Sequence, residues 1–169
     1  MEPCRSLALL AGSLGLMCVV VALSTNFWFV AMGPTSSSHS GIWPTKGDEH
    51  PAGYIYVTQT FGILAALCGL VSMGLLVLSC VPSLSAPGRG PLVASIVAFA
   101  AAFSLTVAMA VYTSERWSQP RHPQIQTFFA WSFFLGWVSI PLLLSAGDWR
   151  PGSLGGPAEA LGGHGKGQR

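Results

Sequence analysis

Four stretches of this chain carry no charged residue and no histidine: Leu7 to Leu23, Phe61 to Val81, Leu92 to Tyr112 and Phe128 to Ala146, of 17, 21, 21 and 19 residues. A helix rising about 1.5 Å per residue needs about 20 apolar residues to cross a hydrocarbon core of ~30 Å, so each run has the length of one crossing. Only 8% of the chain is charged and 51% is apolar, where soluble domains carry about a quarter charged residues. A soluble four-helix bundle would need a polar stripe on each helix, and none of the four runs has one. All fourteen Asp, Glu, Lys and Arg residues and all four His lie outside the runs. The expected fold is an all-α membrane protein: a four-transmembrane-helix bundle over residues 1–146, with helices at about 7–23, 61–81, 92–112 and 128–146 and a small outer β-sheet. Ala22 and Ser24 would suit signal cleavage before Thr25, but the first run exceeds the usual apolar core of about 7 to 15 residues, so it is expected to remain as a helix.

Four crossings put both termini on one side. That side holds Arg5, Arg89, Arg150, Lys166 and Arg169 against Lys46, Arg116 and Arg121 on the other, and an excess of Lys and Arg marks the cytoplasmic face. The connections are an outer loop at 24–60, an inner turn at 82–91 and an outer loop at 113–127. The tail at 147–169 has eight glycines and few large apolar residues, so a disordered cytoplasmic segment is expected.

Between helices in lipid, close backbone approach supplies much of the attraction, so small residues spaced by four mark packing faces. Ala8 and Gly12, Ala11 and Gly15, Gly62 and Ala66, Ala65 and Gly69, and Ala94, Ala98 and Ala102 have that spacing. The fourth run differs, with Phe128, Phe129, Trp131, Phe133, Phe134 and Trp137 crowding one end as an interfacial anchor and Pro141 predicting a kink.

Absent chemistry narrows the function. No ionisable residue stands in the runs, which argues against a proton pump or proton-coupled transporter. Ser13 in "LAGSLGL" has no polar partner, and Gly167 follows Lys166 where a phosphate loop needs Ser or Thr. The expectation is no enzyme, no cofactor, no metal and no nucleic acid. His39, His50 and His122 fall in the outer loops, where an imidazole titrating near ~6.5 is a candidate pH sensor, the alternative being solvated loop histidines. Cys4 and Cys80 stand at inner helix ends and are candidate palmitoylation sites or plain structural thiols. Cys18 and Cys68 lie in the runs, so the outer loops have no disulfide.

The first outer loop holds two indoles, Trp28 and Trp43, among serines, glycines and prolines. Aromatic and β-branched runs at Phe27 to Met32 and Gly53 to Val57 predict two short strands pairing around "GIW" at Gly41, Ile42 and Trp43. Without a disulfide, that sheet needs buried side chains, and Trp28 and Trp43 are the candidates. The competing reading makes Trp28 an interfacial anchor and Trp43 a partner-facing residue.

Trp28 beyond the first helix, followed by the triplet Gly41, Ile42 and Trp43, resembles the signature of the claudin, peripheral myelin protein and epithelial membrane protein superfamily. That resemblance implies a small outer sheet packed on the bundle; the two loop cysteines usual in the family are missing. "CRSLALL", "HSGIWPT", "GYIYVTQTF", "GPLV", "VAMAVYTSERWSQP" and "HPQIQTFFAWSFFLGWVS" are similar to a branch of this superfamily found in cytotoxic lymphocytes, over Met1 to Ser145. The similarity implies a protein of cytolytic granule and plasma membranes that promotes granule exocytosis in natural killer and CD8 T cells. Its implied partners are the lipid bilayer and unidentified membrane or granule-trafficking proteins; the small-residue faces also allow a homo-oligomer, with packing inside one bundle the preferred reading. The rival expectation is a claudin-like cell-contact, barrier or pore-forming protein.

Overall fold

The computed structural model describes residues 3–44, 52–81, 90–120 and 123–148. In chain order the elements are α1 (Pro3–Ser24), β1 (Phe29–Met32), β2 (Ser37–Ser40), α2 (Gly53–Cys80), α3 (Gly90–Ser118), β3 (Gln126–Phe129) and α4 (Trp131–Gly147). Helix α2 packs along α3 and α1 along α4, while α3 with α4 and α1 with α2 close the bundle. Helices α1, α2 and α3 are long and apolar enough to cross a membrane. Helix α4 has 17 residues, about 26 Å, a few ångströms short of a ~30 Å core and within what local thinning accommodates.

The side chains are distributed as a lipid solvent requires. Leu7, Leu10, Leu14, Leu67, Leu92 and Phe103 are exposed on the helix exteriors, where water would leave that surface without a partner. The interior combines small groups at the helix contacts with larger apolar side chains such as Leu105, Met109 and Leu143. Ala65, Ala94, Ala98, Ala101 and Ala102 are buried, and a Cβ on Gly15 would lie 3.0 Å from the Leu142 Cβ and 3.3 Å from the Leu143 backbone nitrogen. The hydroxyl of buried Ser72 on α2 donates to the Ala94 carbonyl on α3 at 2.8 Å, a bond that ties two helices together where lipid offers no competing acceptor.

Three boundaries differ from the sequence expectation. The segment Gly53 to Val57 is not a strand but the first turns of α2. Its aromatic and β-branched residues favour β-structure only weakly, and burial overrides them: Thr58, Gly62, Ala65, Gly69, Ser72 and Leu76 form one buried helical face that starts beside Tyr54. Helix α3 runs to Ser118 rather than Tyr112: its buried face Leu105, Ala108, Met109 and Tyr112 is followed one turn later by the half-buried Arg116, which packs on the Phe29 and Tyr112 rings. Helix α4 begins at Trp131 rather than Phe128, since Phe128 and Phe129 are claimed by β3. Pro141 sits within α4, which is helical on both sides of it.

The sheet order is β2-β1-β3, antiparallel throughout. β1 and β2 form a hairpin closed by the Gly33 amide donating to the Ser36 carbonyl at 2.8 Å. β3 comes from the second outer loop, so the sheet joins two chain segments far apart in sequence. Phe29 lies opposite Ser40 on one side and Phe129 on the other. Most of the inner turn at 82–91, most of the tail at 147–169, and His50 and His122 lie outside the described residues.

Replacing Gly15 by Val should lower stability by about 1–3 kcal/mol, because the α4 backbone cannot yield. Gly74→Ala, which meets nothing within 4 Å, should be neutral or slightly stabilising. Thermal unfolding of the two purified variants in detergent checks the contrast.

Candidate functional site

A helix ends with four carbonyls that have no helical donor. At the sheet end of α1, side chains take this role for consecutive residues. Ser24 Oγ donates to the Val20 carbonyl at 2.7 Å and Thr25 Oγ1 to the Val21 carbonyl at 2.8 Å. The indole Nε1 of Trp28 donates to the Ala22 carbonyl at 2.7 Å, and that of Trp43 to the Leu23 carbonyl at 2.6 Å. Both loop tryptophans therefore converge on the same helix end. They differ in burial: Trp28 is 1% exposed and Trp43 40%.

Trp28 sits at the centre of the junction between bundle and sheet. Its ring meets Tyr112 of α3 edge-on at 5.0 Å and Phe133 of α4 at 6.4 Å, contacts worth about 0.5–1.5 kcal/mol each beyond the area buried. Its backbone amide donates to the Ser40 carbonyl at 3.1 Å and its carbonyl accepts from Ala130 at 3.0 Å. One residue thus touches α1, both ends of the hairpin, α3 and α4.

The triplet does the remaining work of closing the loop. A Cβ on Gly41 would stand 2.7 Å from the Asn26 Cα, so no side chain fits there. Ile42 is fully buried, and its carbonyl accepts from Gln59 Nε2 of α2 at 2.5 Å. Thr25 and Ser132 share a hydroxyl hydrogen bond of 2.7 Å between the end of α1 and the start of α4. Trp28, Gly41, Ile42 and Trp43 accordingly form one clamp that joins the hairpin to all four helices.

The other candidates are placed elsewhere. His39 lies exposed on β2, its ring stacked on Phe27 at 4.7 Å, and Phe27 in turn faces Trp131 at 6.0 Å. Cys80 is the last residue of α2 and partly exposed; Cys4 lies in the first turn of α1. Ser13 spends its hydroxyl on the Leu9 and Leu10 carbonyls of its own helix. No group of three metal-ligating side chains occurs among the described residues.

Residues outside the signature complete the site. Arg116 lies 4.4 Å from the Phe29 ring centre and 5.7 Å from that of Tyr112, and its Nη2 donates to Ser40 Oγ at 3.2 Å. Phe129 stacks on Phe133 at 4.2 Å. The spacing of Tyr112 and Arg116 by four, like that of Tyr54 and Thr58, was the available signal that both helices extend beyond their apolar runs.

Trp28→Ala should cost about 3–5 kcal/mol, Trp28→Phe about 1–3 kcal/mol from the buried Ala22 carbonyl left with only the long contact from Thr25 Oγ1 at 3.4 Å, and Trp43→Ala about 1–2 kcal/mol. Thermal unfolding should return that order. Trp28→Ala should also be retained early in the secretory route, while Trp43→Ala largely passes through.

Comparisons with known proteins agree with this geometry. The model of the PMP-22/EMP/MP20/Claudin family matches residues 6–148. The human "Protein NKG7" is 66% identical over 158 residues, covering 93% of this chain and 96% of that protein, and the mouse "Protein NKG7" is 65% identical over 147 residues, covering 87% and 89%. The human "Lens fiber membrane intrinsic protein" is 30% identical over 141 residues, covering 79% and 81%. With its apolar helices, its antiparallel sheet and the indole clamp between them, the chain is a multi-pass membrane protein that belongs to the PMP-22/EMP/MP20/Claudin family.

Proposed function

We propose that this protein is a non-enzymatic component of cytolytic granule and plasma membranes that promotes granule exocytosis in natural killer and CD8 T cells, with both termini cytoplasmic. The observation that carries this reading is the 66% identity to "Protein NKG7" over nearly the full length of both chains. The physical features are those of a scaffold. Among the described residues, the interior between the helices holds Ala, Gly and Ser with larger apolar side chains such as Leu105, Met109 and Leu143, and no buried Asp, Glu, Lys, Arg or His, and the clamp fixes a small sheet on top of it. Such a protein acts by presenting a surface to membrane or granule-trafficking partners.

The test is loss and restoration in a cytotoxic lymphocyte. Removing the protein should reduce release of granule contents on target contact, and re-expression of the intact chain should restore it. The Trp28→Ala variant should not restore it, because the sheet loses its seat. Unchanged degranulation on loss would sink the proposal. Lateral plasma-membrane strands with raised transepithelial resistance on expression would favour a claudin-like contact protein instead.

A further inference from the structure

Beside the clamp, between the last turn of α3, β3 and the first turn of α4, lies a cleft of about 470 Å³. Its walls are mostly apolar, with Trp117, Ile125, Phe128, Phe129 and Phe134 among them. Trp117, Phe128 and Phe134 are 68%, 44% and 58% exposed, so the apolar lining is open rather than sealed. These rings stand where α3 leaves its apolar run and α4 enters its own, the level at which aromatic side chains meet the lipid headgroups.

Arg116 is the one charged residue on the described lining. Its partners are Ser40 Oγ, Gln119 Oε1 at 3.4 Å, and the faces of Phe29 and Tyr112, none of which carries a full negative charge. Its Nε is buried without an acceptor among the described residues. No carboxylate among the described residues pairs with this guanidinium, so its charge favours an anionic acceptor, and a carboxylate is one that its planar group binds well. With a volume of about 470 Å³ and one open side, the cleft suits a single acyl chain.

We propose that this cleft is a binding site for a single-chain fatty acid, whose carboxylate pairs with Arg116 and whose chain lies on Trp117, Ile125, Phe128 and Phe134. The ligand enters from the adjoining leaflet. The site is independent of the trafficking role and concerns what the sheet end of the bundle recognises in its own membrane.

The experiment uses the full-length protein in lipid nanodiscs and a photoactivatable fatty acid as the probe, with adduct sites mapped by peptide mass spectrometry. Labelling should fall on the cleft residues and be competed by oleate but not by its methyl ester. Arg116→Gln should weaken labelling about tenfold, the loss of one charge-assisted pair. Ile125→Trp, which fills the cleft and leaves Arg116 in place, should abolish it while retaining the thermal midpoint of the parent. Should Arg116→Gln fail to fold, the oleate and methyl ester pair on the parent protein and the Ile125→Trp variant decide the matter. Equal competition by the ester, labelling that persists in Ile125→Trp, or a covalent dimer through the cleft in place of a lipid adduct would each overturn the proposal.

Discussion

The structure depends on how the last carbonyls of α1 are satisfied. A helix leaving a bilayer ends in acceptors that neither lipid nor its own backbone can pair, and each one buried unpaired costs about 1–3 kcal/mol. Here the Ala22 and Leu23 carbonyls are taken by indoles from two points of the following loop, Trp28 and Trp43. Those two bonds bend the loop back over the helix end. Once Trp28 is there, its ring fills the space between Tyr112 and Phe133, and its backbone links the hairpin to the segment before α4. A helix cap, an aromatic core and the seat of the sheet are therefore one arrangement.

That arrangement accounts for a sheet without a covalent crosslink. The first outer loop contains no cysteine, and Cys18, Cys68 and Cys80 are free. In place of a disulfide, the hairpin is held by Trp28, by Ile42 with its carbonyl bound to Gln59, and by the close passage of Gly41 over Asn26. Between them these interactions reach all four helices. The hairpin is consequently sensitive to the packing of the bundle beneath it, and the bundle in turn is closed at that end by the hairpin.

Arg116 belongs to the same architecture but faces outward from it. By stacking on Phe29 it supports the centre of the sheet, and by standing on the wall of an open aromatic cleft it places a positive charge at the membrane boundary. A frame of helices and a small sheet can thus carry a charged aromatic cleft at its edge.

Much of the fold was legible in the sequence, because a hydrocarbon solvent leaves few options. Uncharged runs of about twenty residues can only be helices, and small residues at intervals of four mark where they touch. Trp28, Gly41, Ile42 and Trp43 were likewise identifiable as a group, from the oddity of indoles in a polar loop. Gly53 to Val57 reads as a strand by propensity and becomes helix because it leads into Thr58, buried against α3, with Tyr54 half-buried beside Tyr112. β3 was hidden inside a hydrophobic run, since Phe128 and Phe129 look the same to a composition count whether they lie in lipid or pair with Val30 and Phe29. The sequence alone determined that this chain lives in a membrane and carries an indole-bearing outer loop, because hydrophobicity and residue type are local properties. Which carbonyls the indoles cap, which strand completes the sheet and where Arg116 stands were decided by tertiary structure, because the caps depend on how the loop folds back over the helix end and the other two on residues far apart in sequence.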